Sequence, residues 1–166
     1  SKVKIIDLGT GSGAIAITLM KKLDCMVDAI DISPKALEVA KENALLNKTD
    51  IKFFESDMFE KVNGRYDVII SNPPYVSYDE KIDDIVKNNE PAIALFAENN
   101  GLEFYEKILS LANNYVNDKA IIALEIGRSQ GSSVKKIAYK YFPKAKIKVE
   151  KDLPGEDRFV FIFISN

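Results

Sequence analysis

The sequence has no histidine and a single cysteine, Cys25, among its 166 residues. These shortages exclude a Ser-His-Asp or Cys-His nucleophilic site, a His-ligated metal centre and an internal disulfide. Cys25 stands before the apolar pair Met26-Val27 and reads as a small, half-buried packing residue with no function of its own. Long apolar runs are also missing: none approaches the length of a membrane span, and Ser1 to Leu8 lack the basic-then-apolar order of a signal peptide. The default expectation is a cytoplasmic protein with no membrane partner. Positive charge is not in excess either, with 23 Lys and Arg against 25 Asp and Glu and a net charge of -2. Tight sequence-independent binding to nucleic acid needs several cations on one face, so a polynucleotide partner is disfavoured.

What remains is the composition of an ordinary globular chain, 46% hydrophobic and 29% charged, of a length that suits one domain. Apolar runs that read as buried strands occur at Val3 to Leu8, Met26 to Ile30, Ile51 to Phe54, Tyr66 to Ile70, Ala120 to Ile126, Ala145 to Val149 and Phe159 to Ile164. Segments with helical apolar spacing lie between them: Ala14 to Leu23, Pro34 to Leu46, Leu102 to Val116 and Ser129 to Phe142. The alternation predicts an α/β fold, a doubly wound and mostly parallel seven-stranded sheet with helices on both faces. Ser33 and Pro34 make a cap followed by proline at the first helical position, and Asn47 and Asp50 mark that helix's end. Pro154-Gly155, within Lys151 to Asp157, predicts a hairpin and hence an antiparallel last strand. Val76 to Asn100 is polar, longer than an ordinary strand-to-helix loop, and is expected to form a partly helical lid.

Three strand ends carry the chemistry. Asp7-Leu8-Gly9-Thr10-Gly11-Ser12-Gly13 follows the first strand, where glycines let the backbone turn sharply and approach a ligand; the plainer reading is a tight strand-to-helix turn. Asp31 ends the second strand about 20 residues after that loop, the position from which a carboxylate reaches ribose hydroxyls. After the third strand, Asp57 is suited to accept from an adenine amino group while Met58 or Phe59 covers the ring. The fourth strand ends in Ser71-Asn72-Pro73-Pro74-Tyr75. Proline has no N–H, and the residue before it is pushed to extended angles, so this run offers the Asn72 side-chain oxygen and the Pro73 carbonyl as paired acceptors for an NH2 group.

In that order, these segments resemble the class I S-adenosylmethionine-dependent methyltransferases, with their Rossmann-like fold. More narrowly, the chain resembles the catalytic domain of the release factor glutamine N5-methyltransferase family. The narrower likeness rests on Asp7 through Ala16, Asp31 through Pro34 followed by Ala36-Leu37, Ser71 through Val76, Glu90-Pro91, Ala94-Leu95, Gly101-Leu102, Glu125 through Gly127 with Gln130, and Asp152, Gly155 and Arg158. The resemblance implies S-adenosyl-L-methionine as cofactor, held by Gly9, Thr10, Gly11, Ser12, Gly13, Asp31, Ile32, Asp57, Met58 and Asn72. It further implies a glutamine amide in the Gly-Gly-Gln motif of a peptide chain release factor as acceptor, bound by Asn72, Pro73, Pro74 and Tyr75, with Asn72, Pro73 and Tyr75 as the catalytic set. No metal is implied, because the leaving sulfide departs neutral. The chain departs from the family where a glycine pair is usual, carrying Ala97 to Asn100 there. Family members carry a helical substrate-docking domain before this fold, whereas residues 1–166 read as the methyltransferase domain alone.

Competing readings are an N6-adenine or other exocyclic-amino methyltransferase acting on RNA or DNA, a nucleotide-dependent oxidoreductase, for which the Asn-Pro-Pro-Tyr run has no use, and a binding module without turnover. Glu125 suits either a substrate contact or a cap for the following helix. Arg158 is expected to pair with Asp152, Glu156 or Asp157, and the alternation of Phe159, Phe161 and Phe163 with Val160, Ile162 and Ile164 predicts a strand buried on both faces.

Overall fold

The computed structural model describes residues 1–73 and 101–166. Seven strands are present among them: β1 (Val3–Leu8), β2 (Cys25–Asp31), β3 (Lys52–Glu55), β4 (Tyr66–Ser71), β5 (Val116–Glu125), β6 (Lys146–Lys151) and β7 (Asp157–Ser165). They form one sheet in the order β3-β2-β1-β4-β5-β7-β6. The first five pair in parallel, and β7 inserts antiparallel between β5 and β6. This is the doubly wound sheet with an antiparallel last strand that the alternation of elements predicts.

Among the described residues four helices cover the sheet: α1 (Ala14–Lys22), α2 (Pro34–Leu46), α3 (Glu103–Ala112) and α4 (Gly131–Tyr141). Alternate residues of β1 point to opposite faces. Ile6 and Leu8 therefore join a core with Tyr105, Ile108 and Leu109 of α3 and Val134 and Ala138 of α4, while Ile5 packs with Ala16 and Ile17 of α1 and Ala44 of α2. Helix α2 starts as its sequence dictates. The Ser33 hydroxyl accepts from Ala36 N at 3.2 Å, Pro34 occupies the first turn where its missing N–H is not needed, and Asn47 caps the far end. Each large apolar chain buried here contributes about 1.5–3 kcal/mol.

Three expectations are corrected by the structure. Helix α3 ends at Ala112, not near Val116, which instead opens β5 opposite Tyr66. The polar run Asn117-Asp118-Lys119 hides this strand end. Asp118 and Lys119 are exposed, and Asn117 Nδ2 donates to Asp67 Oδ1 at 2.8 Å, so polar residues cost nothing there. Strand β7 is buried on one face only: Val160 and Ile162 are fully inside, whereas Phe159 and Phe163 remain 37% and 38% exposed. Their rings stack along the strand with Phe161, at centroid distances of 6.0 and 6.4 Å. Cys25 is buried, not half-buried, and burial pushes its thiol up, away from reactivity.

Candidate functional site

A cavity of about 600 Å3 opens at the carboxyl ends of the parallel strands, where ligands of open α/β sheets bind. It is reached from the sequence one strand end at a time. After β1 the chain must turn into α1, and it does so through left-handed backbone at Gly11 (φ 58) and Gly13 (φ 82). The two positions serve different ends. A Cβ at Gly11 would meet nothing within 4 Å, and Gly11 lines the cavity; a Cβ at Gly13 would stand 3.2 Å from the Ala40 Cβ of α2. Gly11 keeps space for a ligand, and Gly13 lets α1 and α2 close. The loop is anchored from below, because Gly9 N and Thr10 N both donate to the Ile30 carbonyl, at 2.9 and 2.8 Å.

Asp31 is fixed by the same turn. Its Oδ2 accepts from Gly11 N and its Oδ1 from Ser33 N, both at 2.9 Å. Each carboxylate oxygen keeps a second acceptor site, so Asp31 is oriented without being used up. Ile32 beside it is 64% exposed on the cavity wall, an apolar surface for a ring. Beneath the loop Asp7 is 1% exposed; Thr10 Oγ1 donates to its Oδ2 at 2.8 Å, and its Oδ1 has no partner among the described residues. Burial pushes the Asp7 carboxyl up to about 6, against the pull of the Thr10 hydroxyl and with a smaller push from the Asp31 charge.

At the end of β3, Asp57 and Met58 line the cavity. The Ser56 hydroxyl donates to the Met58 carbonyl at 2.8 Å and accepts Lys61 N at 3.0 Å, shaping a loop in which Met58 takes a left-handed backbone, φ 49. Such a conformation in a non-glycine residue costs about 1–2 kcal/mol and turns Met58 into the wall. Phe59 goes elsewhere, buried and stacked on Tyr115 at 4.3 Å, so of the two candidates for covering a ring only Met58 is available. Lys107 Nζ lies 3.8 Å from Asp57 Oδ1, with both side chains about half exposed, a pair worth little in stability.

At the end of β4 Ser71 is buried and donates to the Leu8 carbonyl at 3.1 Å, tying the two central strands together. Asn72 follows, exposed, and Pro73 is buried; both line the cavity. Pro74, Tyr75 and the expected lid at 76–100 lie outside the described residues. The cavity thus gathers Gly9, Gly11, Asp31, Ile32, Asp57, Met58, Asn72 and Pro73. It does not gather Thr10, whose hydroxyl is bound to Asp7, nor Ser12, which is exposed with its carbonyl bonded to Asn43 Nδ2 at 2.9 Å, nor Gly13. Phe104, Ile108 and Glu125 complete the wall. The first two stand four apart on one face of α3, a spacing visible in the sequence, but their reach into the cavity depends on where α3 begins. Among the described lining residues three are carboxylates, Asp31, Asp57 and Glu125, and none is a cation.

The arrangement can hold a nucleoside-bearing ligand of positive charge and present a planar NH2 group to Asn72 and Pro73. The family model described as methyltransferase small domain matches residues 1–94. A release factor glutamine methyltransferase of Lactococcus lactis is 43% identical over 163 residues, which cover 96% of this chain and 60% of that protein. The chain therefore spans about three fifths of the curated relatives it matches. Among solved structures, a methyltransferase from Pyrococcus furiosus superposes with a TM-score of 0.76 at 24% identity, over 100% of this chain and 76% of that one. A release-factor-specific protein-(glutamine-N5) methyltransferase from Alicyclobacillus acidocaldarius gives 0.59 at 23% identity, over 99% and 81%. These structures share the fold, and with the family model covering more than half of its residues and the cavity lying at the strand ends of that fold, the chain belongs to the methyltransferase small domain family.

Proposed function

We propose that this chain catalyses S-adenosyl-L-methionine-dependent N5-methylation of the glutamine side chain in the Gly-Gly-Gln motif of peptide chain release factors, and that residues 1–166 act as its methyltransferase domain. The observation that carries the reading is the position of Asn72 and Pro73, acceptors on the cavity wall directly beside a glycine turn and a fixed Asp31. The names of the curated relatives support the acceptor class.

The cavity's own features fit the cofactor. The space above Gly11 admits close approach, Asp31 keeps acceptor sites for ribose hydroxyls, and the carboxylate-lined wall favours a ligand carrying sulfonium and ammonium charge. Asp57 would accept from the adenine amino group, with Ile32 and Met58 on the ring. When bound, S-adenosylmethionine supplies an electrophilic methyl group on sulfur.

The chain's own work is positioning. An amide nitrogen is a poor nucleophile because its lone pair is delocalised. Asn72 Oδ1 and the Pro73 carbonyl would accept both amide N–H bonds, aim the nitrogen and stabilise positive charge as it develops there. In this reading Tyr75 supplies an aromatic face for the amide, and Pro74 belongs to the same binding run. Nucleic acid is the second reading, and the acid-only wall among the described lining residues weighs against it.

The test is calorimetry with S-adenosylhomocysteine and with NADH, followed by labelled methyl transfer to a Gly-Gly-Gln peptide and to an oligonucleotide. Binding of the first ligand only, with label on the peptide, is expected. Label on the oligonucleotide alone would transfer the case to the nucleic-acid reading.

A further inference from the structure

The cavity has two halves. Asp31 and Asp57 close β2 and β3, whereas Glu125 closes β5, and in the sheet order Asn72 stands between them. Glu125 is thus on the far side of the reacting position from the groups that suit the nucleoside. Its backbone is clamped: the Tyr105 hydroxyl donates to the Glu125 carbonyl at 2.9 Å, and Ile126 N donates to the Arg158 carbonyl at 2.8 Å.

The side chain is held as well. Arg158 Nη1 lies 4.0 Å from Glu125 Oε1, while Arg158 Nε and Nη2 donate to Asp152 Oδ2 at 3.2 and 3.0 Å. Asp152 in turn accepts Glu156 N at 2.9 Å, and that bond above all, with Arg158 adding to it, holds its carboxyl below the usual range. The Glu125, Arg158 and Asp152 side chains are only 21%, 32% and 20% exposed. In the turn before α4 it is Gln130 that closes the loop, its Oε1 accepting from Gly127 N at 2.8 Å.

We propose that Glu125 is the acceptor-side contact of the cavity: its carboxylate receives main-chain N–H groups of the peptide that carries the reactive amide, and Arg158, anchored on Asp152, is a positioning residue that holds it there. The proposal rests on the reading that the acceptor is a peptide amide. Asn72 and Pro73 match the amide's own NH2, which leaves the flanking peptide N–H groups to lose water as the segment enters. An unpaired N–H is costly, and a carboxylate is its strongest acceptor. The same charge repels a phosphodiester, so one residue both selects peptide and rejects polynucleotide.

The experiment compares the 166-residue protein with its Glu125→Gln, Arg158→Met and doubly substituted variants. It measures KM and kcat on a Gly-Gly-Gln peptide, affinity for S-adenosylhomocysteine, and thermal unfolding. Glu125→Gln is expected to raise KM about tenfold or more while leaving kcat and cofactor-product affinity unchanged. Arg158→Met should raise KM less, and the double variant should be no worse than Glu125→Gln, because Arg158 acts through Glu125. Unchanged KM in Glu125→Gln, or a matching loss of S-adenosylhomocysteine affinity, overturns the proposal; additive effects in the double variant overturn the role of Arg158. Should Arg158→Met unfold, Arg158→Lys keeps the charge without the fork and takes its place. A wild-type protein that methylates no glutamine peptide defeats the functional reading instead. In that event the peptide affinity of the S-adenosylhomocysteine complex, wild type against Glu125→Gln, still decides this inference.

Discussion

Replacing Asp31 by asparagine changes one oxygen to an NH2 group and almost nothing in shape. In the native turn the two carboxylate oxygens accept from opposite sides, Oδ2 from Gly11 N and Oδ1 from Ser33 N, both at 2.9 Å. Asparagine has one acceptor oxygen, so whichever way the amide turns, one of those N–H groups faces another donor. Loss of a charge-assisted hydrogen bond costs about 1.5–3 kcal/mol. Asp31 is only partly buried, so water relieves much of that in the free protein, and its stability should fall by about 1 kcal/mol. With ligand bound the water is excluded, and the ribose hydroxyls lose a charged acceptor as well. Asp31→Asn should therefore weaken S-adenosylhomocysteine binding by about 2–4 kcal/mol, or about 30- to 800-fold in Kd. Titration calorimetry of wild type and variant, with a thermal scan of each, checks both halves. Wild-type affinity in the variant would refute the placing of the nucleoside at β2.

Gly11→Ala and Gly13→Ala both force a side chain into left-handed backbone, but only the second meets protein, the Ala40 Cβ at 3.2 Å. Gly11→Ala should lose ligand affinity with a Tm change of a few degrees, and Gly13→Ala should lose more stability than Gly11→Ala before any ligand is added; the reverse order, read by calorimetry and thermal scans, contradicts the assignment. Asp7→Asn tests the buried carboxylate. Burial lifts the Asp7 carboxyl from 3.8 to about 6, so the native state binds its proton more tightly than the unfolded chain, and stability is fully present below the unfolded value and lost as pH rises through about 6. Asparagine cannot ionise, so in the ligand-free protein the variant's stability relative to wild type should grow between pH 4 and 7 by up to about 3 kcal/mol. A difference independent of pH in urea titrations would show that Asp7 is not buried as a neutral acid.

Much of the site was legible because it depends on short sequence distances. The glycine turn lies directly after β1, Asp31 is the last residue of β2 and Asn72 lies directly after β4, so recognising each strand end places its residue. The Ser33-Pro34 start of α2 was equally local. What escaped was set by pairings distant in the chain. Glu125 meets Arg158 only because β7 runs antiparallel beside β5, with Glu125 opposite Phe159. The sequence offers three acids to Arg158, and the structure selects Asp152 because Lys151 takes Asp157 at 3.1 Å. The start of β5 was hidden for a related reason: Asn117 to Lys119 are polar yet remain in the strand because Val116 pairs with Tyr66 and Asn117 bonds to Asp67. Period-two alternation marks β7 as a strand but does not reveal its one-sided burial, since phenylalanine on a half-covered face looks the same in sequence as phenylalanine in a core.

The central claim is that Asn72 and Pro73 aim an amide nitrogen at a methyl donor. The direct measurement is mass spectrometry of a Gly-Gly-Gln peptide after incubation with S-adenosylmethionine, with fragmentation to place the added group, for wild type and for Asn72→Ala. With the wild type one methyl group is expected on the glutamine side-chain nitrogen. For Asn72→Ala the expected rate is lower by about 100-fold or more, the scale for removing one preorganised polar group at a reacting centre, with unchanged affinity for S-adenosylhomocysteine. Methylation at full rate by Asn72→Ala, or a methyl group placed anywhere but on that nitrogen, would contradict it.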